Sequence, residues 1–236
     1  MAITQARKID VYPDCGGIRA VWLYGSAARG DADPDSDVDV LILLDDADSC
    51  VKHRVALFVN EKREFVETAG YTIDVMNGLI ESGSLFAWHL LREGEPLIDN
   101  EGLLAEMLTR LQPYRGYRKD LEILADLLDD AVASSRGGLT ATYDAAVLAT
   151  VCRNVALLVS QADGHLDFRP IAPTRMADHA RVPFPLSEVE YELLRRCKRA
   201  AERGSEDPFI GSEEVMHLGG RLKTWLRDVR SYLRLT

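Results

Sequence analysis

The chain has 236 residues, 47% hydrophobic and 28% charged, with 17 Gly and 9 Pro, which is the balance of a globular protein of one or two domains and excludes a fibrous or disordered one. Its net charge of -10 argues against a broad nucleic-acid footprint, which needs basic patches. No run approaches the roughly 20 apolar residues of a membrane span, the N-terminus lacks an apolar signal core, and Cys15, Cys50, Cys152 and Cys197 form no CxxC pair, so a cytoplasmic, reduced protein without structural zinc is expected.

Ala20-Val21-Trp22-Leu23-Tyr24 is apolar, β-favouring and bounded by Gly25, which predicts a short buried strand. Gly25-Ser26-Ala27-Ala28-Arg29-Gly30 follows as a tight turn into a short helix, with Ser26 as its N-cap. The Asp- and Pro-rich residues 31–36 form a loop. From Asp37, DVDVLILL predicts a second strand, whose alternation puts Asp37 and Asp39 on one face and Val38 and Val40 on the other. Residues 48–67 carry a helix-like pattern, and residues 71–76 read as a third strand with Asp74 embedded in it. Residues 82–92 predict a helix ended by Gly94, and residues 95–99 an edge strand. Residues 1–100 are therefore expected to form an α/β (α+β) domain.

Beyond Asn100 the pattern changes to long segments of 3.6 period. Helices are expected over residues 101–111, 114–135, 142–162, 187–203 and 212–235, with Leu121, Leu124, Leu127 and Leu128 as one buried stripe. Residues 101–236 thus predict an all-α helical bundle. Acidity is confined to the first part: residues 1–100 hold 9 Lys+Arg against 18 Asp+Glu, and residues 101–236 hold 19 against 20. Eight aspartates crowd between positions 31 and 48, a density that favours solvent or a cation.

The chemistry is concentrated where a Gly-Ser turn closes a strand and, ten residues later, Asp37-Val38-Asp39 opens the next. Such a turn offers backbone N–H groups and a hydroxyl to phosphate oxygens, and two same-face aspartates can hold Mg²⁺ against those phosphates. Asp74, alone between Ile73 and Val75, could complete a set of three carboxylates from a neighbouring strand.

LYGSAARGDADPDSDVDVLIL resembles the signature of the DNA-polymerase-β-like nucleotidyltransferase superfamily, in its minimal nucleotidyltransferase branch. The resemblance covers about residues 20–99 and rests on Gly25, Ser26, Arg29, Gly30, Ser36, Asp37 and Asp39, with Asp74 matching the later third carboxylate. It implies a small mixed sheet with helices on one side, followed here by a helical domain like those of antibiotic nucleotidyltransferases and HEPN-like proteins. It also implies transfer of a nucleoside monophosphate, AMP from ATP, to an acceptor hydroxyl with release of pyrophosphate. Asp37, Asp39 and Asp74 would be catalytic and would ligate two Mg²⁺ ions, Mn²⁺ being able to substitute; Gly25, Ser26, Arg29 and Ser36 would bind the nucleotide. Arg29 is equally suited to an ion pair with a loop aspartate. Nothing in the residues selects the base.

The expected acceptor is a polycationic small molecule such as an aminoglycoside, which an acidic cleft would suit. The alternatives are a regulatory or toxin–antitoxin nucleotidyltransferase that modifies a protein or a tRNA, and a pseudo-enzyme that only binds nucleotide. The length of the last helix is compatible with a homodimer. His89 reads as a hydrogen-bonded residue of an apolar helix rather than a catalytic one, and Arg153, Arg195, Arg196, Lys198 and Arg199 as a solvated face rather than an RNA contact. No histidine follows Arg153 at the spacing of a HEPN-type ribonuclease.

Overall fold

The computed structural model describes residues 17–32, 37–45, 66–176, 181–204 and 208–234. Ser36, placed by its sequence among the nucleotide-binding residues, and most of the helix expected over residues 48–67 lie outside them.

The first unit is built on a four-stranded mixed sheet of β1 (Ile18–Tyr24), β2 (Val38–Leu44), β3 (Val66–Thr72) and β4 (Glu95–Asp99), in the order β3-β2-β1-β4. β1 is antiparallel to both β2 and β4, whereas β2 and β3 are parallel. The alternation read from DVDVLILL holds: Val38, Val40, Ile42 and Leu44 line one face together with Val21 and Leu23, and Leu41 and Leu43 line the other with Trp22 and Tyr24. Asp39 shares the face of Leu41 and Leu43. Burial on both faces accounts for the wholly apolar end of β2, and truncating Leu41 to Ala would cost about 2–5 kcal/mol.

α1 (Gly25–Arg29) joins β1 to the loop before β2, and its Ala27 and Ala28 pack on the valine face. The other face is covered by α2 (Ile73–Glu81), α3 (Leu85–Glu93) and α4 (Leu103–Leu108) through Met76, Ile80, Leu90, Leu104 and Met107. Asp99 fixes the last of these helices: its carboxylate accepts the Leu104 and Ala105 N–H groups at 3.0 and 3.1 Å and the Trp22 indole N–H at 3.3 Å. Because α4 belongs to this core, the chain divides between Arg115 and Gly116, and not at 100/101 as its change of pattern suggests.

The register of β3 departs from expectation. The strand begins at Val66 and ends at Thr72, whose hydroxyl accepts the Val75 N–H and starts α2. The stretch 73–76, apolar enough for a strand, is thereby the first turn of a helix, with Met76 and Ile80 one turn apart in the core.

The second unit is helical, comprising α5 (Tyr117–Ser135), α6 (Ala141–Ala162), the single turn α7 (Ala172–Arg175), α8 (Glu188–Arg203) and α9 (Ser212–Tyr232). α6 packs against α5, α8 and α9 and buries residues around most of its circumference, among them Leu148, Cys152, Val155 and Val159. By length and composition alone it could cross a bilayer; here it is the central helix of the unit. Leu121, Leu124 and Leu128 form the expected stripe of α5, but Leu127, one residue round the helix, is 40% exposed. Ser187 and Glu190 close a capping box that starts α8.

Candidate active site

The site follows from strand pairing. Tyr24, the last residue of β1, is the antiparallel partner of Asp39, so the turn after β1 emerges beside the start of β2. Gly25 has φ +71°, and a Cβ placed on it would collide with the Asp39 carboxylate. That carboxylate therefore rests on the backbone of the turn. Both constraints call for glycine: the left-handed backbone and the filled space.

Ser26 is half-buried and lies inside α1. It is not the N-cap its sequence suggested, because the helix begins one residue earlier, at Gly25, with Tyr24 in the cap position and no side chain capping the helix. The Ser26 carbonyl closes the turn instead, accepting the Gly30 and Asp31 N–H groups. Asp37 immediately precedes β2 and is half-buried, two residues from Asp39.

Arg29 enters a cluster. Its Nη1 donates to Glu93 Oε2 at 2.6 Å, and its Nε and Nη2 lie 3.1–3.2 Å from the Asp31 carboxylate oxygens. His89 Nε2 lies 2.8 Å from the same Glu93 oxygen and, facing a carboxylate, is the donor. Burial pushes the Glu93 carboxyl up, but the bonds from His89 and Arg29 outweigh it and hold the group below the usual carboxylate range. His89 is thus the hydrogen-bonded helix residue expected from sequence. Glu93 was missed, although its place four residues after His89 marks a same-face pair on α3.

Asp74 is not brought to the aspartate pair. It is exposed in the first turn of α2, just after Thr72, and Thr72 pairs with Leu44 at the end of β2 remote from Asp39. At ~3.3 Å per residue, that end is about 17 Å away. The backbone register partner of Asp39 on β3 is Glu67. Nothing in the sequence singles out Glu67, which closes the segment read as a helix.

Mg²⁺ is held by one or two carboxylates together with substrate phosphates and water. Asp37 and Asp39, close in sequence and with Asp39 seated in space that a Cβ at Gly25 would fill, suit such a cation. Among the described residues no group of three His, Cys, Asp or Glu converges as a complete metal cage. Cys152 and Cys197 are buried thiols, and burial pushes that of Cys152 far up.

Residues 9–102 match the family model described as polymerase beta, nucleotidyltransferase. This stretch is a polymerase-β-type nucleotidyltransferase domain. No curated protein matches the chain in sequence. Among solved structures, the chain is similar to the spectinomycin adenyltransferase AAD(9) from Enterococcus faecialis, crystallised with ATP and spectinomycin, with 12% identity over 89% of this chain and 92% of that one and a TM-score of 0.49. The nucleotidyltransferase domain is followed by a helical region.

Of the basic residues in that region considered for nucleotide or RNA contact, Arg153 donates to the Phe168 carbonyl at 3.2 Å, Arg195 and Arg199 pair with Glu192, and Lys198 pairs with Glu202.

Proposed function

We propose that the protein transfers a nucleoside monophosphate, AMP from ATP, to a hydroxyl of an acceptor. The observation that carries this reading is the contact of the Asp39 carboxylate with the Gly25 backbone, which joins the two halves of the signature, the Gly-Ser turn and the aspartate pair. The acceptor oxygen forms a bond to the α-phosphorus, the bond from that phosphorus to the α–β bridging oxygen breaks, and pyrophosphate leaves; the hydroxyl proton passes to a carboxylate base. The Gly25 N–H and the Ser26 hydroxyl hold the terminal phosphates, and Asp37 and Asp39 hold Mg²⁺, two ions in the full reading. When bound, Mg²⁺ supplies neutralisation of phosphate charge and a more acidic attacking hydroxyl.

The third carboxylate has two candidates. Asp74 is supported by sequence resemblance and Glu67 by its register with Asp39, so the register favours Glu67.

For the acceptor we favour a polycationic small molecule of aminoglycoside type. Support comes from the charge of residues 1–100, 18 acids against 9 bases, which would concentrate a cation near the site. The test is incubation with Mg²⁺ and each α-labelled NTP in the presence of aminoglycosides, tRNA or cell protein, with Asp37→Ala/Asp39→Ala as the blank. Label on aminoglycosides is the expected result. Label on tRNA or protein alone would replace the acceptor and keep the reaction; no label in any pool, with nucleotide bound, would leave a binding protein.

A further inference from the structure

We infer that Arg29 is a positioning residue that fixes the Gly25–Ser26 turn through Glu93 and His89, and that it does not touch the nucleotide phosphates. The inference rests on the nucleotidyltransferase reading for its functional consequence. Its structural basis is independent of that reading.

A guanidinium grips a phosphate by offering one of its two-nitrogen edges. In Arg29 the Nε/Nη2 edge faces the Asp31 carboxylate, with Nε 3.2 Å from both oxygens, and Nη1 is taken by Glu93 at 2.6 Å. One cation is thus matched against two carboxylates. The single positive charge of the guanidinium is already shared between two carboxylates, which leaves little of it for a polyphosphate. The Arg29 and Glu93 side chains are only 16% and 15% exposed, which leaves little of either for a ligand.

The same contacts bracket the turn. On its far side, Arg29 closes α1 and ties it to Glu93, the last residue of α3. On its near side, Tyr24, the residue before Gly25, has its ring edge-on to that of His89 at 5.3 Å between centroids. His89 in turn donates to Glu93 Oε2, so both flanks of the turn are anchored to one helix through two residues one turn apart on the same face. Loss of any one link frees the turn to move relative to Asp39, and with it the N–H and hydroxyl groups assigned to the phosphates.

The two roles of Arg29 predict opposite signs for Glu93. If the guanidinium gripped phosphate, removing a competing carboxylate would free it, and nucleotide would bind as tightly or more so. If Arg29 acts through Glu93, removing either partner loosens the turn equally. The experiment is equilibrium binding of the four NTPs with Mg²⁺ by calorimetry to the whole chain and to Arg29→Ala, Glu93→Ala, the double variant and His89→Gln, each at a temperature where it is folded by circular dichroism. Expected are losses of affinity of about tenfold in both single variants, with the double no worse than either, and a smaller loss of about threefold in His89→Gln, which keeps a donor to Glu93 but removes the ring that meets Tyr24. A variant that only loosened the fold would melt lower and bind with unchanged affinity when folded, and that outcome overturns the inference. So does a Glu93→Ala variant that binds as tightly as the unmodified chain while Arg29→Ala does not. If the unmodified chain binds no NTP, the nucleotidyltransferase reading fails, and the anchor is judged by melting alone: non-additive losses in the Arg29/Glu93 pair uphold it and additive losses reject it.

Discussion

The Asp39 carboxylate lies against the α-carbon of Gly25, in space that the smallest side chain would fill. Strand pairing produces this contact. Tyr24 and Asp39 are register partners, so a turn that begins directly after β1 emerges beside the start of β2. The positive φ of Gly25 directs the chain into α1 without a helix cap from any side chain.

Gly25→Ala should therefore fail on two counts. The left-handed backbone costs about 1–2 kcal/mol with any Cβ present, and the methyl group displaces Asp39. Urea unfolding is expected to show a loss of at least that size. Nucleotidyl transfer, measured on the folded variant, should fall by about a hundredfold, as for a catalytic group moved by ~1 Å. Unchanged transfer would mean that the Gly25–Asp39 contact has no part in the reaction.

The third carboxylate is decided by two variants. The register predicts that Glu67→Gln removes most transfer and that Asp74→Asn, altering an exposed residue of a helix turn, retains it. Steady-state transfer with saturating NTP distinguishes them. A loss confined to Asp74→Asn would mean that β3 pairs further along the chain, with Asp74 and not Glu67 opposite Asp39.

Glu93 gives the first unit an acid-sensitive link. Its folded carboxyl is held below its ordinary value of about 4.5, so its stabilising contribution is complete above that pH and is lost as pH falls through the depressed value. In Glu93→Gln that contribution is absent. The stability difference between the unmodified chain and Glu93→Gln should be present at about pH 5 and should shrink as the pH falls below about 4.5. Denaturant midpoints measured across that range check this, and a gap that persists undiminished into acid would contradict it.

In the helical unit, α9 packs against α5 at Gly219, where a Cβ would run into a Val132 methyl. Gly219→Ala is expected to destabilise the unit by about 1–3 kcal/mol through overpacking. Adding Val132→Ala should restore part of the loss. Equal melting temperatures for Gly219→Ala and the unmodified chain would show that the helices have room to separate.

The strands β1, β2 and β4 and the long helices were legible because each is marked by its own residues, the strands by short bounded apolar runs and the helices by a sustained 3.6-residue period. DVDVLILL announces both the aspartate face and the apolar face of β2, and the 3.6-residue period marks α5, α6, α8 and α9. The nucleotidyltransferase signature was legible for a related reason: its glycine, serine and aspartates serve backbone and charge needs that few other residues meet. What was missed depends on partners distant in sequence. Residues 73–76 are as apolar as a strand, and only the Thr72 hydroxyl and the packing of Met76 and Ile80 make them a helix. Glu67 gains interest from its neighbour on β2, and Glu93 from Arg29, 64 residues away. Neither relation leaves a local pattern. Leu127 illustrates the converse, an apolar residue in a plausible stripe that lies one position too far round the helix to be buried.

The decisive measurement is transfer of α-labelled nucleotide as a function of Mg²⁺ concentration for the unmodified chain, Asp37→Ala and Asp39→Ala, with folding confirmed for each. Mg²⁺-dependent transfer by the unmodified chain, and a loss of about a thousandfold or more in each variant that excess Mg²⁺ does not recover, is the predicted result. Transfer at the unmodified rate in either folded variant would contradict the assignment of the aspartate pair, and with it the reaction built on that pair.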